Sequence, residues 1–266
     1  MPELPEVETI KRQLGKILLG KRIEEVVINN AYVVKEPSRD SFKKLLKGCR
    51  IDNILRKGKL LIFELDSRKF LIVHLRMTGQ LVYPGDCTRS RVSFKLSDKK
   101  CLDYNDRRML GDLRLIDDWH DLKFIKQLGP EPFDMSQEEF DKKLLKKTTK
   151  IKPLLMDQAF IAGIGNLYAA EVLFKAKISP FRPAKSLSKQ QKKKLLTAIK
   201  EILKDAIIHK GSSIDQYVTL TGEKGDYVKF HKVYGREDKP CFVCKSSIKR
   251  IAQGGRGTYF CPRCQK

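Results

Sequence analysis

The stretch LGPEPFD at residues 128–134 divides the chain into two textures. Its glycine and two prolines interrupt any helix or strand, so it reads as a linker. Upstream the pattern is β. RIEEVVI (22–28), LLIFEL (60–65), KFLIVHLRM (69–77), RVSFKL (91–96) and LGDLRLID (110–117) are short, rich in β-branched residues and separated by turn residues. One helix precedes them, with Val7, Ile10, Leu14, Ile17 and Leu18 on a single stripe and Gly20 as its stop. Downstream the pattern is helical. Ser136 with Glu139 forms a capping box for a helix to about Lys147. Further helices are predicted over 153–161, over 166–176 after the turn GIGN (163–166), and from Ser188 with Gln191 until Gly211. A β-sandwich or barrel-like domain carrying one N-terminal helix is thus followed by a helical domain.

Composition narrows the partners. Of 266 residues, 55 are Lys or Arg and 32 are Asp or Glu, a net charge of +23 with an isoelectric point near 9.7. An excess that large points to a polyanion, nucleic acid first. The 41% hydrophobic content supports packed cores and excludes a disordered tail protein. No stretch has the apolar length of a membrane-spanning helix, and the start lacks a signal peptide's basic and apolar regions. The expectation is a cytoplasmic protein whose thiols stay free or bind metal.

Seven cysteines include CFVC at 241–244 and CPRC at 261–264, separated by sixteen residues. This is four-thiolate zinc spacing, with room for a β-hairpin between the pairs. Cys241, Cys244, Cys261 and Cys264 leave no open position for water, so the zinc would be structural. Cys49, Cys87 and Cys101 read as ordinary buried residues. Inside the hairpin, QGGRGTYF (253–260) places Arg256 among glycines, where backbone and guanidinium could meet a phosphate together. GIGN before a helix offers unpaired N–H groups to an anion, but as a G-x-G it is too weak for a nucleotide fold.

The N-terminus poses a chemical question. MPELPEVET places Pro2 beside Glu3 and Glu6. Once Met1 is removed, Pro2 is a free secondary amine able to attack a carbonyl-like carbon; otherwise it simply begins a helix. Lys59 lies before an apolar strand, and His74, Arg76 and Met77 lie at the end of another. DRRML (106–110) mixes arginines with apolar residues, which suits a loop that wedges into stacked bases.

Taken together, these pieces resemble the formamidopyrimidine-DNA glycosylase family, with endonuclease VIII as its sister branch. MPELPEVET, KGKLL, HLRMTG, LGPEP, IKPLLMDQ, GIGNLYAAE, GSSI and GRGTYFCPRC follow in order along essentially the whole chain. Leu4 resembles the formamidopyrimidine branch. The resemblance implies an N-terminal β-sandwich (1–130), a helix–two-turn–helix domain (131–235) and a zinc-finger hairpin (236–266). It implies binding of damaged duplex DNA, with the lesion flipped into a pocket; a monomer is the default expectation. Pro2 would then be the nucleophile at the deoxyribose C1′, forming an iminium intermediate, with β- and δ-elimination to follow. Glu3 would be the proton-transfer acid, Glu6 its supporting carboxylate, and Lys59 an aid to base removal. His74, Lys152, Asn166 and Arg256 would hold phosphates. Met77, Arg108 and Leu110 would fill the void, with Arg108 facing the orphaned cytosine. Residues 217–227 would form a flexible cover over flipped 8-oxoguanine.

Two departures bear on specificity. Leu110 stands where the family commonly has an aromatic wedge, and the arginine pair at 107–108 is shifted by one position. The expected activity is excision of oxidised purines with abasic-site cleavage. Endonuclease VIII-like action on oxidised pyrimidines and a non-catalytic zinc-ribbon protein for damaged DNA are the competing expectations.

Overall fold

Why the upstream half folds as it does is legible in its burial. In a computed structural model describing residues 1–266, α1 (Leu4–Ile17) starts from a capping box. The Glu3 side chain accepts from the Glu6 backbone, and the Glu6 side chain accepts from the Glu3 N–H. Pro5 lies in the first turn, where its missing N–H leaves no gap in the hydrogen-bond ladder. Leu4, Val7, Ile10, Leu14 and Leu18 are fully buried, so the apolar stripe faces a core.

That core is shared by α1 and two sheets. One sheet is antiparallel, in the order β1 (Ile23–Ile28), β7 (Val92–Leu96), β8 (Cys101–Asp106) and β6 (Gly79–Gly85). The other runs β2 (Val34–Glu36), β9 (Asp112–Ile116), β5 (Phe70–His74), β4 (Leu60–Leu65) and β3 (Ile51–Lys57). All its pairings are antiparallel except β2 with β9. A helix α2 (Arg39–Leu46), absent from the sequence-based expectation, buries Phe42 and Leu46 against the same core.

Residue contacts divide the chain into two compact units. The first comprises residues 1–126 together with 209–226. The second comprises 127–208 with 227–266. A short helix, α3 (Lys123–Lys126), lies at the end of residues 1–126 in the first unit, and the helices of the second are α4 (Gln137–Leu144), α5 (Ile151–Met156), α6 (Asn166–Ala176) and α7 (Lys189–Ile208). Ser188 and Gln191 bond reciprocally ahead of α7, as the capping-box pattern requires. A hairpin, β10 (Lys249–Gln253) with β11 (Arg256–Phe260), completes this unit. No helix is long and apolar enough to cross a membrane.

Several expectations need correction. The helix expected over 153–161 is α5, Ile151–Met156. Pro153 falls within its first turn, where proline is tolerated, instead of opening it. Asp157 ends it in an extended conformation and turns the chain through Phe160 and Ile161. The strand expected over 69–77 stops at His74, because Gly79 N–H bonds Leu75 O at 2.8 Å and closes a tight turn. A Cβ at Gly79 would lie 2.4 Å from that carbonyl, so only glycine fits.

Cys87 and Cys101 are not free thiols but a disulfide, with a Cα–Cα separation of 5.5 Å. β6 and β8 pair Gly85 with Cys101, which brings the residue two beyond Gly85 within reach. Closing a loop of this length contributes about 3 kcal/mol in the chain-entropy picture. Cys49 is buried and free, as expected.

Candidate active site and nucleic-acid contacts

In the first unit, the start of α1 gathers Pro2, Glu3 and Glu6, all buried. One Glu6 oxygen accepts the Glu3 N–H and the other the Ser212 N–H, both at 2.8 Å. Gly211 makes this approach possible. Its φ is +77°, and a Cβ there would meet Glu6 Oε1 at 2.8 Å. Glu6 therefore joins the N-terminal residues to the segment after α7, a partnership that no local spacing reveals. Tyr217 packs beside it, and burial followed by the Glu6 charge raises its hydroxyl pKa.

Lys59 is half-buried in the β3–β4 turn, after Gly58 at φ +55°. Arg56 steadies that turn, donating to Gly58 O at 3.0 Å and to Glu8 of α1 at 2.8 Å. Leu60, next to Lys59, pairs with His74 across β4 and β5. The two candidate phosphate contacts thus sit together, and the Lys59 charge is felt at the imidazole.

His74 has a defined protonation state. Its Nδ1 accepts the Arg76 backbone N–H at 3.0 Å, which leaves the ring proton on Nε2. Desolvation first, then the Arg76 charge, lowers its pKa to about 3. His74 is therefore a neutral donor. In the second unit, burial lowers His231 to about 4.

Both folded-state values lie below the ordinary 6.5, so the unfolded chain binds protons first as pH falls. The histidine contribution to stability is complete above about pH 6.5 and falls below it by about 1.4 kcal/mol per unit per residue. We expect His231→Gln to lose less stability than wild type between pH 7 and 5, by roughly 2 kcal/mol. Denaturant midpoints at the two pH values measure it; an equal loss in both proteins would refute the assignment.

Met77 and Leu110 are each 44% exposed, unusual for such side chains. Arg108 Nη1 reaches Met77 Sδ at 3.1 Å, so the 75–79 turn and the 107–111 loop lie side by side. Met109 faces the other way. At φ +54° it turns towards the core, and its sulfur accepts from Asn30 Nδ2 at 3.0 Å. Met109 inward and Arg108 outward follow from that backbone conformation.

The segment expected as a flexible cover is anchored at its start. Leu220 and Thr219 are fully buried. Leu220 N–H bonds Gln13 Oε1 at 2.9 Å, and its carbonyl accepts from Tyr83 N–H at 2.8 Å. Exposed residues begin at Thr221.

In the second unit, Lys152 on α5 is 1% exposed. Its ammonium donates to Asn166 Oδ1 at 2.6 Å and to Thr258 Oγ1 at 2.9 Å. Asn166 in turn donates to Gly257 O at 3.2 Å. Lys152 and Arg256 line one recess of about 210 Å³ with Pro153, Met156, Asp157, Gln253 and Gly254. The fold so brings two sequence-predicted cations, Lys152 and Arg256, to one recess, and Asn166 is joined to them through its bond to Lys152.

Glu171 was missed by sequence reasoning. It is 1% exposed and accepts the N–H groups of Lys232, Val233 and Tyr234 at 2.8, 3.0 and 2.8 Å. Burial raises its pKa, with the three donors pulling the other way. A carboxylate within the buried run Leu167–Phe174 of α6 is the available signal.

The four sulfurs of Cys241, Cys244, Cys261 and Cys264 lie within 4.8 Å of one another. Tetrahedral zinc with bonds of about 2.3 Å needs sulfurs about 3.8 Å apart, and two pairs stand at 3.9 and 3.4 Å. The residues fit one structural zinc. Cys241, Cys261 and Ile248 pack on Ala170 and Phe174 of α6, which ties the metal knuckle to the helix carrying Asn166.

A zinc-bearing, strongly basic protein with a β-sandwich and helical segments is the class these features define. Residues 1–113 match the formamidopyrimidine-DNA glycosylase N-terminal domain, 128–218 its H2TH domain, and 238–266 a zinc finger found in FPG and IleRS. The chain is 42% identical to a formamidopyrimidine-DNA glycosylase of Oceanobacillus iheyensis, over all of this chain and 98% of that one. It is 40% identical to one of Desulfitobacterium hafniense, over all of both. Among solved structures, a Lactococcus lactis Fpg complexed with abasic-site DNA is 38% identical, with a TM-score of 0.91 over 99% of each chain. The Thermus thermophilus MutM (FPG) protein is 36% identical, with a TM-score of 0.90 over 99% of this chain and 98% of that one. The chain belongs to the formamidopyrimidine-DNA glycosylase family.

Proposed function

We propose that this protein is a bifunctional DNA glycosylase and abasic-site lyase of base excision repair, acting on oxidised purines. The observation that carries the reading is the buried Pro2–Glu3–Glu6 group, ordered by Ser212 and Gly211, on a chain similar over its full length to named glycosylases.

With Met1 removed, the Pro2 nitrogen bonds to the deoxyribose C1′ as the bond from C1′ to the base breaks. The departing base takes a proton. Glu3 supplies a proton to the sugar ring oxygen as the ring opens, leaving a cationic iminium at C1′. That cation withdraws electrons, so a C2′ proton is lost and the 3′ phosphate leaves; a second elimination expels the 5′ phosphate. Glu6 holds Glu3 and Ser212 in register through its two accepted hydrogen bonds.

Lys59, and His74 through its Nε2 proton, contact phosphate in the first unit. Lys152, Asn166 and Arg256 do so in the second. Met77, Arg108 and Leu110 occupy the space left by the flipped nucleotide. Division into a catalytic segment (1–130), a helical DNA-binding segment (131–235) and a zinc finger (236–266) belongs to the same reading, as does action as a cytoplasmic monomer.

The test is borohydride trapping on a duplex with 8-oxoguanine opposite cytosine, followed by mass spectrometry of the adduct. A cross-link mapped to Pro2 is expected. A cross-link only with oxidised pyrimidines would move the substrate class, and none with either would leave a DNA-binding protein without lyase chemistry.

A further inference from the structure

One buried carboxylate organises the 107–111 loop. Asp106 is the last residue of β8 and is 1% exposed. Its Oδ1 accepts from Thr78 Oγ1 at 2.5 Å and from the Arg108 N–H at 3.2 Å. Its Oδ2 accepts from the Gly111 N–H at 2.6 Å and lies 3.5 Å from the Tyr104 hydroxyl. The Arg108 N–H also reaches Thr78 Oγ1 at 3.1 Å. Thr78 adjoins Met77, and Gly111 adjoins Leu110, so this one group ties down the neighbours of Met77 and Leu110 and the backbone of Arg108.

Topology makes the arrangement possible. β6 and β8 pair Gly79 with Asp106, so the 75–79 turn and the 107–111 loop spring from the same end of one strand pair. Gly111 closes the loop tightly, since a Cβ there would stand 1.7 Å from the Tyr104 hydroxyl and 3.0 Å from Asp106 Oδ2. Arg91 Nε holds the Asp106 carbonyl at 3.2 Å.

We propose that Asp106 is a positioning residue that sets how far Met77, Arg108 and Leu110 project, and so controls discrimination of the base opposite the lesion. This rests on the void-filling reading given above. The chemistry calls for a carboxylate, because every group converging on it is a donor and an ionised carboxylate only accepts. An amide would turn an N–H against one of those donors and leave a buried group unsatisfied.

The experiment measures single-turnover excision of the lesion opposite cytosine and opposite adenine, with 2-aminopurine beside the lesion to report unstacking. Asp106→Asn is expected to slow excision opposite cytosine about tenfold and to bring the cytosine-to-adenine ratio towards one. Thr78→Val should change the ratio in the same direction, while Thr78→Ser, which keeps the hydroxyl, should stay within about twofold of wild type. A residue with only a structural role would slow both pairs equally.

Arg108→Ala and Leu110→Ala separate the two layers of the argument. If they alter the ratio and the fluorescence while Asp106→Asn and Thr78→Val do not, Asp106 has no positioning role. If they too are silent, the void-filling reading fails and the proposal falls with it. Should Asp106→Asn not fold, Thr78→Val decides the outcome by the same ratio.

Discussion

Pro2→Gly is expected to reduce the borohydride-trapped yield and strand cutting by roughly 10²-fold, the usual scale for disabling a catalytic group. A secondary amine condenses to an iminium that is cationic at every pH. Glycine supplies a primary amine, whose imine must be protonated before it withdraws electrons, so some reaction survives. The α-amino group ordinarily titrates near 7.7–8.0, which leaves an appreciable neutral fraction in either variant. Nucleophile basicity alone therefore does not explain the loss. The helix should persist, because Glu3 and Glu6 hold its start independently of Pro2. A chain that retains Met1 provides the sharper contrast: its Pro2 nitrogen is an amide and cannot condense. Full cutting by a verified Met1-retaining protein would overturn the N-terminal mechanism, whatever Pro2→Gly does.

Loss of zinc should have an effect of similar size on DNA binding. Structural zinc contributes about 10–16 kcal/mol of apparent binding free energy in small Cys/His modules, more than the few hydrogen bonds that otherwise tie the β10–β11 hairpin to Lys152, Asn166 and Pro180. Ile251 and the residues around it on β10 are exposed. Cys241 and Cys261, by contrast, are fully buried against α6. Chelation or Cys261→Ser should release the hairpin, and with it Thr258 and Gly257, the partners of Lys152 and Asn166. Titration of labelled duplex should show affinity lowered by at least tenfold, restored by zinc after chelation but not in Cys261→Ser. Undiminished affinity in the chelated protein would remove the hairpin from the binding surface.

Part of the fold is legible in the amino-acid sequence. Asn166–Ala176 was bounded correctly because GIGN supplies a turn immediately before an apolar run. Leu60–Leu65 was bounded correctly because Gly58 and Asp66 flank a continuous apolar segment. The zinc ligands were visible because both pairs carry local spacing. β3, β6, β8 and α2 were harder to see, since each owes its identity to a strand partner or to the core it covers and not to its own periodicity. The disulfide was invisible for the same reason. Cys87 and Cys101 stand fourteen positions apart, and only the β6–β8 register brings them together.

The two textures, the charge and the zinc-ligand spacing are legible in the amino-acid order alone, whereas Pro2, Glu3, Lys59 and Arg256 are site candidates through motif resemblance. The first three are read from local composition and spacing, which short-range chemistry dictates. Packing alone brings Glu6 to Ser212, Lys152 to Thr258, and Thr78, Arg108 and Gly111 to Asp106. Each of those bonds satisfies a buried polar group with a partner from another segment. Burial makes an unpaired group costly, and which partner is within reach depends on how sheets and helices pack, which a local pattern does not carry.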